Sequence, residues 1–381
     1  MTEATLRIGI AGLGGAGGKV LPLLAGDALD GLVLGAAADL RPEARDAFEQ
    51  TYGRPAYASV EALCRAPDLD LIYVATPSPL HCANTLTALA AGKHVLCEKP
   101  LATSLDDCDR MIAAARAAGL LLVQGHSKVF DAPVHAMRAL IASGRLGRVF
   151  QVDCWNCNDW MRRPRLPAEL DTEAGGGVVL RQAPQLVDLV RVLIGRAPRT
   201  VRAVTGRHAP GLDTEGNFAA LIGFDGGAAA TIAFNGYGHL SLGPLLAPGA
   251  AASVRATRTG PVGAAEKYAG GLAAAAGPRR APTNELALVS GEQGVLVAAP
   301  TGLTLHANGV AEPLSVPDTA GRAAGFIELR DALREGRPGF PDGSWARTTL
   351  EVCLAILESA RLGAEVPVRS AQPAIPEEHR P

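Results

Sequence analysis

The sequence predicts an α/β protein that opens with a doubly wound parallel sheet shaped to hold a dinucleotide and continues into a second domain. Three observations predict it. A strand pattern, Leu6-Arg7-Ile8-Gly9-Ile10, runs directly into Gly12-Leu13-Gly14-Gly15-Ala16-Gly17 and then into the helical Lys19-Val20-Leu21. A second strand pattern, Leu32 to Ala38, ends in Asp39, about twenty residues beyond the glycines. Short apolar strands then alternate with helical patterns as far as Gly125, as βαβ units do.

Composition sets outer limits. A chain of 381 residues with 48% hydrophobic content is long enough for two domains with sizeable cores. Its 36 basic residues nearly cancel 38 acidic ones, which gives no electrostatic footprint for nucleic acid or an anionic membrane surface. No basic-then-apolar leader is seen and no apolar run reaches the roughly 18 residues of a membrane span, so the expectation is a cytoplasmic protein. The seven scattered Cys fit a reducing compartment.

Taken in order, Gly12 permits the tight turn, Gly14 lets a pyrophosphate approach the backbone, and Gly17 lets helix and strand pack closely. Asp39 would accept from a ribose 2′-OH and repel a 2′-phosphate, which argues for NAD. Arg41, two residues on, could pair with that phosphate and argues for NADP. The next strand, Leu71 to Ala75, leads into the rigid turn Thr76-Pro77-Ser78-Pro79. Pro77 is expected to shape the wall holding the nicotinamide ribose. His81 opens the following helix and either contacts the cofactor or simply caps and meets solvent. His94 to Cys97 is a strand ending in Glu98-Lys99-Pro100, where ligands of such sheets bind. Lys99 is the candidate acid/base, because partial burial or a neighbouring cation lowers an ammonium pKa towards neutrality. A helix follows, with Ser104 and Asp107 at capping-box spacing and Gly119 as its stop. Leu120 to Val123 is then a strand ending in Gly125-His126.

Gly12/Gly14/Gly17, Asp39, Thr76-Pro77 with His81, and Glu98-Lys99-Pro100 together resemble the glucose-fructose oxidoreductase/inositol dehydrogenase/MocA (Gfo/Idh/MocA) family of NAD(P)-dependent oxidoreductases. The resemblance implies a Rossmann domain over 1–125 and an α+β domain over 126–366 built on a large, mostly antiparallel sheet. One face of that sheet would pack on helices beside the active site, and the other would join subunits into a homodimer or homotetramer. It extends cofactor binding to Gly15, Ala16, Glu98 and Lys99.

The second half reads accordingly. Strands are expected at Val149 to Cys154, at Phe218 to Phe224 with Ala228 to Phe234 across Asp225-Gly226-Gly227, and at Leu286 to Ser290 with Val295 to Ala299. Helices are expected at Pro184 to Ile194, Ala323 to Arg334 and Arg347 to Leu362. Residues 240–283, rich in Gly, Ala and Pro, read as a long loop or lid, and 367–381 as a frayed tail.

The run from Asn158 through Arg163-Pro164-Arg165 and Leu170-Asp171 to Gly175-Gly176-Gly177 narrows the resemblance to the branch with phthalate 4,5-cis-dihydrodiol dehydrogenase. Arg163 and Arg165 would clamp a substrate carboxylate through bidentate hydrogen bonds. The chain then departs from its relatives. Where they carry Asp or Asn, then His, then Asp, this chain has Arg181, Gln185 and Asp188. Gln185 can bond a hydroxyl but does not titrate near neutral pH. Lys99 alone then relays the proton, or His126 or Lys128 substitutes, or the chain binds cofactor without the usual chemistry. Arg181 adds positive charge that favours an anionic substrate. Trp345 is expected mainly to pack, at the border of the substrate pocket. Cys154 and Cys157 share a strand but point to opposite faces, and no metal is expected.

The expected activity is hydride transfer from a secondary alcohol, with a carboxylated cyclic cis-diol as the expected substrate, to NAD or NADP. A sugar or inositol dehydrogenase, a ketone reductase, and a non-catalytic NAD(P)-binding sensor are the alternatives.

Overall fold

The computed structural model describes residues 5–26, 29–125, 128–238, 261–268, 285–299, 302–316 and 321–370. They form two compact units. The first holds the described residues up to 125 together with 265–268 and 321–347; the second holds the rest.

In the first unit, β1 (Leu6–Ala11), β2 (Leu32–Ala38), β3 (Ala56–Tyr57), β4 (Leu71–Val74), β5 (His94–Cys97) and β6 (Leu122–Gln124) pair in parallel, in the order β3-β2-β1-β4-β5-β6. The helices α1 (Gly17–Leu24), α2 (Pro42–Tyr52), α3 (Val60–Cys64), α4 (His81–Ala90) and α5 (Leu105–Ala118) alternate with the strands. With both faces covered, the strand interiors are apolar: Ile8, Ile10 and Leu71 to Val74 are buried. The strand order reverses between β1 and β4, which makes the carboxyl edge there the expected binding crevice. Ser104 caps α5, its Oγ accepting the Asp107 N–H at 3.2 Å, and Gly119 ends it at φ +65°. Because the Leu120 N–H still bonds the Ala115 carbonyl at the end of α5, β6 begins at Leu122 rather than at the expected Leu120.

The second unit carries α6 (Ala132–Ala142), β7 (Val149–Cys157), α7 (Gly177–Ile194), β8 (Pro198–Gly206), β9 (Asn217–Phe224) and β10 (Ala229–Asn235). The chain goes on through a short helix α8 (Ala264–Lys267), then β11 (Glu285–Gly291), β12 (Gly294–Ala299), β13 (Gly302–Ala307) and β14 (Val310–Leu314). Two further helices, α9 (Ala324–Glu335) and α10 (Gly343–Leu362), precede β15 (Val366–Pro367). Among the described residues these later strands form one nine-stranded sheet, β14-β13-β12-β11-β7-β10-β9-β8-β15, antiparallel except between β7 and β10. Alternation is regular: Phe218, Ala220, Ile222 and Phe224 of β9 are buried, with Ala219 and Leu221 exposed between them.

Several expected boundaries move, each for a local reason. Helix α7 begins at Gly177, about two turns before the expected Pro184. Gly177 lies at φ +74°, and a Cβ there would sit 2.2 Å from Glu215 Oε1, whose carboxylate accepts the Val179 N–H at 2.9 Å. A buried carboxylate thus caps this helix, and Pro184 falls inside it. Helix α10 starts at Gly343 instead of Arg347, because Asp342 Oδ1 accepts the Trp345 N–H at 2.7 Å. The segment expected to fray from 367 is anchored as far as 370: Val366 and Pro367 pair with Val201 and Thr200, and Glu351 accepts the N–H groups of Arg369 and Ser370. Residues 371–381 lie outside the described residues, as does 240–283 except for 261–268, which include α8. The first unit is also not the contiguous 1–125. Phe326 and Leu329 of α9 belong to the same core as Ile8, Ile10 and Leu71. No helix among the described residues is long and apolar enough to cross a membrane.

Candidate active site

In the first unit the sequence-predicted cofactor residues gather at the carboxyl edge of the sheet. Gly12, at φ +101°, bends the chain off β1, and a Cβ there would lie 2.8 Å from the Ala75 carbonyl oxygen. At Gly17 a Cβ would overlap the Gly12 carbonyl oxygen, 1.9 Å away, so only glycine lets α1 close on the turn. Gly15 has open space around it. Ala16 precedes α1 without a capping side chain, and the Gly18 and Lys19 N–H groups bond the Gly14 and Ala16 carbonyls at 2.8 and 3.2 Å, which folds the turn tightly around the start of the helix. The turn therefore fits a dinucleotide pyrophosphate.

Asp39 ends β2 with both carboxylate oxygens engaged. Oδ2 accepts the Leu13 N–H at 2.8 Å and Arg41 Nη2 at 3.0 Å; Oδ1 accepts the Arg41 N–H and Nε, each at 2.9 Å. Burial works to raise the Asp39 carboxyl, but these donors outweigh it and hold the group below the usual carboxylate range. The two residues expected to compete over cofactor choice thus hold each other. The Arg41 guanidinium also lies 4.2 Å from the ring centroid of Tyr268, a residue with no motif to announce it.

The loops after β4 and β5 are tied together. His81 is buried, with Nδ1 2.8 Å from the Pro100 carbonyl and Nε2 2.9 Å from the Thr76 carbonyl. It neither caps its helix into solvent nor stands open; it braces the two loops. Thr76 Oγ1 accepts Asn84 Nδ2 at 2.9 Å, while Pro77 is exposed. Glu98 is buried, accepts Tyr73 OH at 2.6 Å, and has Arg322 Nη1 at 3.6 Å. Burial first, and Glu98 second, push the Tyr73 phenol well above its ordinary value, so it stays a donor. The Lys99 N–H bonds Glu98 Oε2 at 3.2 Å, and the Lys99 side chain is half-buried. Trp345 is buried edge-on against Phe340, at 4.9 Å. His126 lies outside the described residues.

In the second unit the arginines sit on carboxylates. Arg163 Nε bonds Asp159 at 2.6 Å and keeps a third of its side chain exposed. Arg165 and Arg181 share Glu169, at 3.5 and 3.3 Å, and the Arg165 guanidinium lies 4.2 Å from the Trp160 ring centroid. Burial pushes Arg165 down to about 10 despite Glu169. Gln185 is half-buried one turn beyond Arg181, on the same side of α7. Asp188 is buried and accepts Thr349 Oγ1 at 2.5 Å, with Arg191 Nη1 at 4.0 Å, so it builds the interior of the unit. Lys128 is paired with Glu285, which also accepts Asn156 Nδ2 at 3.0 Å. Burial alone would lower this ammonium, but Glu285 outweighs it and raises it further from neutrality, away from an acid/base role near pH 7.

The acids that fix these side chains were not singled out from sequence. Glu169 had one signal, its four-residue spacing from Arg165; Glu215, Glu285 and Tyr268 had none, since their partners lie far along the chain.

A family model described as an oxidoreductase family with an NAD-binding Rossmann fold (GFO_IDH_MocA) matches residues 6–126, and the GFO/IDH/MocA C-terminal domain matches residues 134–240. The sequence is 34% identical, over 93% of this chain and 95% of the relative, to 1-carboxy-3-chloro-3,4-dihydroxycyclo hexa-1,5-diene dehydrogenase of Comamonas testosteroni. It is 35% identical, over 50% of this chain and 57% of the relative, to trans-1,2-dihydrobenzene-1,2-diol dehydrogenase of Oryctolagus cuniculus. The crystal structure of a protein from Bordetella bronchiseptica RB50 assigned as a dehydrogenase superposes with a TM-score of 0.81 at 34% identity, over 95% of this chain and 100% of that one.

Proposed function

The chain belongs to the Gfo/Idh/MocA family of NAD(P)-dependent oxidoreductases, and from that premise we propose that it oxidises a secondary alcohol of a carboxylated cyclic cis-diol. The observation that carries the substrate class is the match, over nearly its whole length, to a dehydrogenase whose name describes a carboxylated dihydroxycyclohexadiene. The arginines of the second unit support it. Arg163, paired with Asp159, and Arg181, paired with Glu169, each keep about a third of the side chain exposed and could meet a carboxylate, while the more deeply buried Arg165 supplies field rather than grip.

When bound, the nicotinamide dinucleotide supplies the hydride acceptor. The glycine turn from Gly12 to Gly17 holds its pyrophosphate, and Asp39 with Arg41 meets the adenosine ribose. Thr76, Pro77 and Glu98 line the nicotinamide end, kept in place by His81 and Tyr73. Lys99 Nζ takes the hydroxyl proton, and Gln185 orients a substrate hydroxyl without exchanging a proton.

The test is reduction of NAD and NADP with carboxylated cis-diols, uncharged cis-diols, inositols and sugars. Turnover confined to the carboxylated diols, with kcat lowered about 10²- to 10⁴-fold in Lys99→Ala, is expected. Equal turnover of uncharged polyols would overturn the substrate class, and an unimpaired Lys99→Ala would overturn the proton assignment.

We further propose a cytoplasmic homo-oligomer joined through the outer face of the nine-stranded sheet. The seven cysteines are free thiols, in keeping with that compartment. Across the sheet, Leu286, Trp155, Ala233, Ala219 and Val204 pair in one register row on the face away from α7. Trp155 and Val204 are 50% and 57% exposed, an apolar stripe of the kind that joins subunits.

A further inference from the structure

The Arg41 guanidinium is held on three sides. Asp39 grips one edge through Nε and Nη2, the Leu13 carbonyl accepts Nη2 at 3.3 Å, and the ring of Tyr268 covers the face at 4.2 Å. The hydroxyl end of the same ring reaches the glycine turn, 3.6 Å from where a Cβ on Gly14 would stand. Tyr268 therefore lies over the part of the turn that would receive the adenosine half of a dinucleotide. In this arrangement the charge of Arg41 is spent on Asp39. A 2′-phosphate arriving there meets an acid and a cation already neutralising each other, whereas a 2′-hydroxyl meets groups able both to donate and to accept.

We propose that Tyr268 is a specificity-determining residue that favours NAD over NADP, by clamping Arg41 into the fork of Asp39 and so withholding it from a 2′-phosphate. The inference rests on the dinucleotide reading above and adds to it a residue that no glycine or acid motif marks. The clamp is a cation–π contact on a guanidinium three-quarters buried, where such contacts are stronger than at an open surface. Removing the ring leaves Arg41 free to swing two residues' reach from Asp39 and pair bidentately with phosphate. Lys267 Nζ stands 5.6 Å from the same ring centroid and is the competing source of any gained phosphate affinity.

The experiment is titration of NADH and NADPH into the purified full chain, followed by nicotinamide fluorescence, for the wild type, Tyr268→Ala, Tyr268→Leu, Tyr268→Phe and Tyr268→Ala with Arg41→Ala. The wild type is expected to bind NADH more tightly. Both Tyr268→Ala and Tyr268→Leu should shift the ratio of the two dissociation constants towards NADPH by about tenfold, the Phe variant should keep the wild-type ratio, and Arg41→Ala should erase the shift. An unchanged ratio in the Ala and Leu variants, with NADH still bound, overturns the clamp while leaving the dinucleotide reading intact. A shift that survives loss of Arg41 also overturns it and transfers the effect to Lys267. Failure of the wild type to bind either nucleotide overturns the dinucleotide reading itself, and the clamp with it.

Discussion

Asp39 receives four hydrogen bonds on two oxygens, and that has a pH consequence. Its folded pKa lies below the ordinary 3.8, so it binds protons less readily folded than unfolded. The stability it contributes is complete above the unfolded value and is lost as pH falls through the folded one. Thermal melts taken from pH 5 down to pH 3 should therefore fall less steeply in Asp39→Asn than in the wild type; parallel slopes would refute the linkage. Tyr73 makes a second test. Tyr73→Phe leaves the buried Glu98 carboxylate without its 2.6 Å donor and should cost about 1 to 3 kcal/mol, read from the urea midpoint at unchanged slope. At this scale the sequence was legible wherever chemistry and local spacing coincide. The turn glycines Gly12 and Gly17 and the strand-end Asp39 announce themselves because turn and acid follow their strands directly. Tyr73 looks ordinary in sequence, because what makes it matter is a partner beyond another strand, Glu98; the bracing role of His81 is equally hidden, because the Thr76 and Pro100 carbonyls it meets lie in two different loops.

Helix α7 shows what the element scale adds. Its start was misplaced because Pro184 is a familiar first-turn residue. The real start is bought by a carboxylate from outside the helix, and no periodicity within residues 177–194 reveals Glu215. Gly177→Ala should cost about 1 to 3 kcal/mol, since it forces a Cβ into a left-handed position and onto that carboxylate. A variant as stable as the wild type in chemical denaturation would show that Glu215 moves aside freely. The C-terminal end gives another prediction. Relative to a chain ending at 370, truncation after 365 removes β15 and the N–H partners of Glu351 and should lower the melting temperature by about 2 to 4 °C; equal melting temperatures would show that β15 adds nothing. By contrast, β1, β2, β5 and the β9–β10 hairpin fall within a residue of their expected bounds, because strand burial and turn residues both mark them locally.

For the molecule as a whole, the parallel sheet was legible from its alternating strands and helices, and the large antiparallel sheet from family resemblance. The membership of each unit was not. Contacts between residues far apart in sequence decide it, and α9 carries no mark of the sheet whose core it completes. The proposed subunit interface belongs to this scale. Trp155→Glu places a charge in the middle of the outward apolar row and should convert the assembly to monomers in light scattering behind size exclusion, with the cofactor dissociation constant unchanged; a persisting oligomer would locate the interface elsewhere. The part played by Phe326 and Leu329 reaches further, into how the chain comes to be made. Synthesis runs from the N-terminus, so the parallel sheet is translated long before the helix that finishes its interior. Until that late segment emerges, the nascent chain carries an apolar flank that nothing of its own yet covers, a state favoured by chaperones and prone to aggregate. A gene fragment ending near residue 125, cut where the motif ends, would keep that exposed flank permanently.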